Sequence, residues 1–117
     1  MEKKQAIEYK KAPNSAIINL LQGKIPPQAL ELEEAVLGAM LIDKKGVDEV
    51  IDILQADAFY KTAHQHIFES IYQLFQDSQP IDLLTVSSEL RKKGKLESVG
   101  GEFYLVQLSQ KVASSAH

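Results

Sequence analysis

Two histidines and two glutamates stand closest to the spacings that catalysis or metal binding would need. His64 and His66 are two positions apart, or about 200° around a helix, so they cannot offer ligands to one metal ion from a single helix face. Glu31 and Glu34 do share a helix face, where a pair of carboxylates is usually solvated. We therefore expect no metal site, a hydrogen-bonded and packed His64, and a solvent-facing His66.

The sequence contains neither a phosphate-binding loop nor a catalytic triad motif. The Gly-Lys pairs at Gly23-Lys24 and Gly94-Lys95 are followed by Ile25 and Leu96, whereas a P-loop requires Ser or Thr after the lysine. No Ser, His and acidic residue fall into a recognisable arrangement. We expect no catalytic residue, no cofactor-binding residue and no metal ligand in this chain; an enzyme of unrecognised type would need a cleft with perturbed carboxylates.

Residues 83–96, LLTVSSELRKKGKL, resemble half of a helix-turn-helix module. Such a module needs a second helix with hydrogen-bond donors for the major groove. The helix predicted after Gly101 reads EFYLVQLSQKV, with one lysine and one glutamate. This composition argues against groove recognition, but a DNA-binding regulatory module of this class remains the alternative function.

Charge is distributed unevenly along the 117 residues. Residues 1–24 hold five lysines and two acidic residues, a net charge of +3, whereas residues 25–117 hold eight basic and fourteen acidic residues, a net charge of −6. Because affinity for nucleic acid rests on cations that neutralise phosphates, the acidic part is a poor candidate for direct DNA binding. The absence of cysteine excludes a disulfide scaffold and suits the cytoplasm, and no apolar run predicts a signal peptide or a membrane span.

The segments that must position these residues are predicted to be helices. The stretch from Ile25 to Asp43 predicts a central helix whose narrow polar strip, Glu31, Glu34 and Gly38, implies enclosure on most sides. Gly38 costs about 1 kcal/mol relative to alanine in a helix interior. That cost is explained either by a neighbour packed close to the backbone or by simple tolerance.

Local signals place the remaining helices. Thr62 is expected to cap one helix and Asp82 the next, and Gly94 suits the position just after a helix end. Phe59 and Tyr60 are expected to fill the core together. Because no segment alternates with period two, the sequence predicts an all-α fold, a compact bundle of about five to six short helices over residues 25–117. Residues 1–24 are expected to be a flexible extension; the alternative is a short helix that docks on a neighbour.

The order of these motifs resembles the N-terminal domain of the bacterial replicative DNA helicase, the DnaB family. The match covers Ile25 to the C-terminus and comprises Ile25-Pro26-Pro27-Gln28, Glu31, Glu33, Ala35-Val36-Leu37-Gly38, Asp43, Phe59-Tyr60, Ala63-His64, Ile67-Phe68, Pro80-Ile81-Asp82-Leu83, Thr85-Val86, Leu90 to Leu96, Gly100-Gly101, Tyr104-Leu105 and Leu108.

The resemblance implies a non-catalytic assembly and docking module. In that family the domain belongs to a collar that supports a hexameric ring and docks primase, and possible further partners include a helicase loader. ATP and Mg²⁺ binding, unwinding of duplex DNA and most DNA contact belong to an ATPase domain outside this chain. The resemblance assigns partner binding to Glu31 and Tyr104, although Tyr104 could instead be a core residue.

Overall fold

The computed structural model describes residues 27–115, which form five α-helices and one 3₁₀ turn without any strand. The predicted all-α bundle is therefore confirmed for this part of the chain, whereas the predicted flexible extension, residues 1–24, lies outside the described residues. The elements are α1 (Pro27–Ile42), α2 (Lys44–Val50), the 3₁₀ turn (Ala56–Ala58), α3 (Thr62–Gln76), α4 (Leu83–Lys92) and α5 (Gly101–Ser115).

Helix α1 packs against α5, α2 and α3, and its contact with α5 is the most extensive in the described bundle. A Cβ atom built on Gly38 would overlap the carbonyl oxygen of Leu108 and lie 2.6 Å from Cγ2 of Val112. Of the two explanations for Gly38, a neighbour packed close to the backbone is confirmed. The expected enclosure of α1 is wrong on its outer side, where Leu32 and Ile42 are 66% and 48% exposed.

The core consists of apolar side chains from every α-helix. Its fully buried members include Leu37 and Met40 on α1, Ile67 and Ile71 on α3, Val86 and Leu90 on α4, and Leu105 on α5. Phe59 belongs to it at 4% exposure, but its neighbour Tyr60 is 52% exposed, so only half of the predicted aromatic pair fills the core.

Both ends of α4 form as the sequence predicts. The Asp82 carboxylate accepts the Thr85 N–H at 2.9 Å, and the Thr85 hydroxyl oxygen accepts the Asp82 N–H at 2.9 Å, which is a capping box. At the other end Gly94 has φ +71°, and the Lys95 N–H donates to the Leu90 carbonyl oxygen at 2.8 Å. This pattern is a Schellman motif, in which glycine takes the left-handed conformation.

Candidate protein-docking surface

Helix α3 receives its N-terminal cap from another helix. The predicted cap, Thr62, is instead the first residue of α3, and the preceding Lys61 makes no capping bond with its side chain. The carboxylate of Glu33, on α1, accepts the Tyr60 N–H at 2.6 Å and the Lys61 N–H at 3.4 Å. A negative charge here satisfies free N–H groups and interacts favourably with the helix dipole. The Thr62 prediction was wrong because this cap is a tertiary contact.

The same carboxylate begins a hydrogen-bonded chain through His64 to Tyr104. Nδ1 of His64 lies 2.7 Å from Oε1 of Glu33, and Nε2 lies 2.6 Å from the hydroxyl oxygen of Tyr104. Because a carboxylate only accepts, Nδ1 carries the hydrogen, and in the neutral ring Nε2 accepts from the phenol. His64 is fully buried, so the prediction of a packed, hydrogen-bonded histidine is confirmed. His66 is half-buried and lies near Glu69.

An acid, a histidine and a hydroxyl in sequence resemble a hydrolytic triad, but the phenol is in the wrong state for one. Burial, and next the charge of the Glu34 carboxylate, raise the pKa of Tyr104 to about 12. A phenol with a raised pKa keeps its proton at neutral pH and is a weak nucleophile. Tyr104 is therefore a hydrogen-bond donor, and the chain from Glu33 to Tyr104 is a structural connection between α1, α3 and α5.

Charged side chains surround Tyr104 where these helices meet. Nζ of Lys61 lies 4.9 Å from the centre of the Tyr104 ring, a cation–π distance. Nζ of Lys111 and Oε1 of Glu34 form an ion pair of 2.5 Å between α5 and α1. The hydrogen bond that Lys111 donates to Glu34 is the main cause that raises the pKa of Lys111, and the charges of Glu34 and Glu31 contribute.

These five residues, Glu31, Glu34, Lys61, Tyr104 and Lys111, are called the Tyr104 surface below. Glu31 is exposed and Tyr104 is half-buried. A groove at this surface is lined by Glu34, Tyr104, Gln107, Leu108, Gln110 and Lys111. Tyr104 therefore lies beside the Glu34–Lys111 pair, and Glu31 lies one helical turn before Glu34 on α1.

Sequence reasoning missed Glu33 and Lys61 as parts of this arrangement. A signal for Glu33 was present: it stands four positions before Leu37 and seven before Met40, on the buried side of α1. A charged residue on such a stripe is rarely buried without a partner. No local pattern marks Lys61, because its position over Tyr104 depends on a contact between residues 43 positions apart in the sequence.

A second surface lies between α4 and α5 and carries exposed apolar side chains. Leu84 and Phe103 are 76% and 72% exposed. The groove beside Leu84 is lined by Leu83 and Val106 together with the polar residues Asp82, Ser87 and Glu102. Phe103 and Val106 are one turn apart on α5, so they are neighbours on its surface. We call Leu83, Leu84, Phe103 and Val106 the apolar face.

The helix-turn-helix alternative finds no support in this geometry. Helix α5, which would have to enter the major groove, packs along α1 and buries Leu105 and Leu108. Its first turn presents Glu102 and Phe103 to solvent, and Glu102 is paired with Arg91 at 2.6 Å. Neither side chain supplies the hydrogen-bond donors that base recognition needs.

Residues 27–115 contain neither a cluster of metal ligands nor a membrane-spanning helix. No three histidine, aspartate or glutamate side chains converge there as ligands for a metal ion. None of the helices in that range combines the length and the apolar character needed to cross a membrane.

Comparisons with known proteins agree with this architecture. Residues 25–117 match the family described as the DnaB-like helicase N terminal domain. The chain is 50% identical over 95 residues to the replicative DNA helicase DnaB of Rhodothermus marinus, which covers 81% of this chain and 10% of that protein. It is 39% identical over 98 residues to the protein of the same name from Geobacillus stearothermophilus, covering 84% and 22%.

A solved structure is also similar. The N-terminal domain of DnaB helicase from Mycobacterium tuberculosis superimposes with a TM-score of 0.69 at 39% sequence identity, covering 73% of this chain and 59% of that one. The chain spans between a tenth and about a fifth of the length of the two curated relatives named above.

Proposed function

This chain belongs to the family of DnaB-like helicase N-terminal domains, and on that premise we propose that it docks primase and supports a hexameric ring in a replicative helicase. The resemblance identified from the sequence is confirmed by these matches. Unwinding of duplex DNA, with ATP and Mg²⁺, is assigned to parts of the parent protein outside this chain. Most contact with DNA is assigned to those parts as well. The compartment that we propose is the cytoplasm.

The observation that carries the docking proposal is the Tyr104 surface. Tyr104 lines one groove with the Glu34–Lys111 ion pair, and Glu31 lies one turn before Glu34 on α1. A hydrogen-bonded chain through the buried His64 joins this surface to the core. A docking site benefits from side chains that are already ordered, because less conformational entropy is lost on binding. The net charge of −6 on residues 25–117 favours a partner with a basic contact surface.

Substitution of Glu31 tests this proposal. We expect Glu31→Ala to weaken binding of the cognate primase C-terminal domain by about 5- to 30-fold, the range of an interface residue worth about 1–2 kcal/mol. Glu31 is exposed, so folding should be unaffected. Calorimetric titration at two salt concentrations measures the effect, and binding should weaken at the higher salt because the contact is between opposite charges.

The matched control is Glu49→Ala, which removes an exposed carboxylate from α2, away from the Tyr104 surface. It should bind as the unsubstituted chain does. Tyr104→Ala should also weaken binding, but its folded state must be verified by circular dichroism, since it deprives His64 of a partner. If Glu31→Ala and Glu49→Ala lost equal affinity, the loss would depend on net charge alone. The binding site would then not lie on the Tyr104 surface.

We assign contact between helicase subunits to the apolar face. An exposed apolar patch of this kind is typical of an interaction surface. A single patch is small for a stable interface, so we expect the isolated chain to be a monomer, or a dimer that dissociates on dilution.

Light scattering across a concentration series tests this assignment. The mass should fall toward 13.0 kDa on dilution, and Leu84→Asp with Phe103→Asp should remove any dimer. Ile53→Asp is the control, because Ile53 is 75% exposed but lies outside the apolar face. A hexamer that persists at micromolar concentration, or a dimer that only Ile53→Asp disrupts, would contradict the assignment.

A further inference from the structure

We propose that Glu33 and His64 are positioning residues that fix Tyr104 within the docking surface, so that Tyr104 offers its ring, and not its hydroxyl, to the partner protein. This inference rests on the docking function proposed above. It adds two buried residues that do not themselves face a partner.

The Tyr104 hydroxyl is already committed inside the bundle. Its oxygen lies 2.6 Å from Nε2 of His64, and the planes of the two rings are within 6° of each other. His64 has no exposed surface and the side chain of Glu33 is 10% exposed, so water competes little for these bonds. Hydrogen bonds in such surroundings are electrostatically stronger than in water.

One carboxylate sets the position of both groups that contact the Tyr104 ring. Oε1 of Glu33 accepts from Nδ1 of His64, which holds the histidine ring and through it the phenol. The same oxygen accepts the backbone N–H of Lys61 at 3.4 Å, and the Lys61 ammonium lies over the Tyr104 ring. Glu33 therefore holds the His64 ring and the backbone at Lys61 through a single carboxylate on α1.

A committed hydroxyl limits what a partner can recognise. With its hydroxyl bonded to His64, the phenol offers a partner the exposed part of its ring, beside the Glu34–Lys111 ion pair. These groups fit an apolar or cationic side chain of the partner, since aromatic rings attract both. Loss of the hydroxyl should then act by releasing the ring, because no bond to the partner is lost.

Two substitutions of His64 separate positioning from bulk structure. In His64→Gln the amide can reach the place of Nε2 and accept from Tyr104, whereas in His64→Asn it can reach only the place of Nδ1 and donate to Glu33. Each variant keeps one of the two bonds. We expect His64→Gln, which keeps the bond to Tyr104 but loses the hold of Glu33, to bind the primase C-terminal domain about threefold more weakly than the unsubstituted chain. His64→Asn, which loses the bond to Tyr104, should bind about tenfold more weakly.

Tyr104→Phe is the second substitution that tests the positioning role. Alone it should weaken binding about tenfold, as His64→Asn does. Combined with His64→Asn it should add almost nothing, because both changes break the same bond and effects within one network are not additive. The positioning role would be overturned if the two His64 variants bound equally well, or if the two effects were fully additive in the double variant. Either result would mean that the Tyr104 hydroxyl bonds to the partner.

A readout without primase keeps the two proposals distinguishable. Burial is the largest cause that raises the pKa of the Tyr104 phenol to about 12, so a ring released toward solvent should titrate closer to 10. Ultraviolet absorbance titration, with Tyr104→Phe subtracted to identify the signal, should show this decrease in His64→Asn and not in His64→Gln. If the unsubstituted chain fails to bind primase, the docking proposal fails. An unchanged titration in His64→Asn overturns the positioning role.

Discussion

Glu33→Ala should lower the free energy of unfolding by about 3–5 kcal/mol, because it leaves several hydrogen-bond donors without an acceptor at about 1–3 kcal/mol for each buried one. The substitution leaves Nδ1 of the fully buried His64 without an acceptor. It also leaves the N–H groups of Tyr60 and Lys61 without the carboxylate that caps α3. A domain of this size is stable by only about 5–15 kcal/mol, so the loss is a large part of the total.

The neighbouring residue provides the control. Glu34→Ala removes an identical side chain one position away, where the partner, Lys111, has a side chain that is 49% exposed. Solvent-exposed ion pairs contribute about 0–1 kcal/mol, so Glu34→Ala should cost no more than that. Urea denaturation followed by circular dichroism measures both. Similar costs for the two substitutions would mean that Glu33 does not have the buried role described above.

Gly38→Val should destabilise the domain by about 3 kcal/mol, because α1 and α5 must move apart to admit a side chain. A Cβ atom at this position overlaps the backbone carbonyl of Leu108, and backbone cannot rotate away as the end of a side chain can. Gly38→Ala should also destabilise, although alanine favours a helix by about 1 kcal/mol over glycine. Thermal or urea unfolding measures these changes.

The reverse change at an exposed position of the same helix isolates helix propensity. Ala35→Gly should cost about 1 kcal/mol, since Ala35 is exposed. An increase in stability for Gly38→Ala would show that α5 does not approach α1 closely at this position.

The parts of the fold that local chemistry determines could be predicted from the sequence. The start of α4 at Asp82 and its end at Gly94 depend on residues within a few positions of each other. The start of α3 does not, because its cap comes from Glu33, 28 positions before Lys61. Thr62 was a reasonable cap by its type, but type alone could not reveal a competing carboxylate on another helix.

The burial of single residues could likewise be predicted inside helices but not between them. His64, on α3, was correctly predicted to be packed and hydrogen-bonded. The pair Phe59-Tyr60 was predicted as one unit, but Tyr60 is largely exposed. Outside regular helices no period tells which of two adjacent rings faces the core.

The candidate site could be predicted only in part. Glu31 and Tyr104 came from the family resemblance, and their role in binding stays a prediction. That Tyr104 lies beside the Glu34–Lys111 ion pair depends on how α1 packs against α5, which no spacing in the sequence contains. Lys61 and Lys111 join them through tertiary packing alone.

The cap that α1 supplies to α3 has a consequence for how the chain folds. A helix capped by its own neighbours in sequence can form its first turn independently, but the N–H groups before α3 are satisfied only after α1 has docked. Ordering of α3 at this end therefore depends on a contact that closes a loop of about thirty residues, at the entropic cost of such a loop. The two helices are thereby coupled into one cooperative unit, and neither can fray at this end without the other.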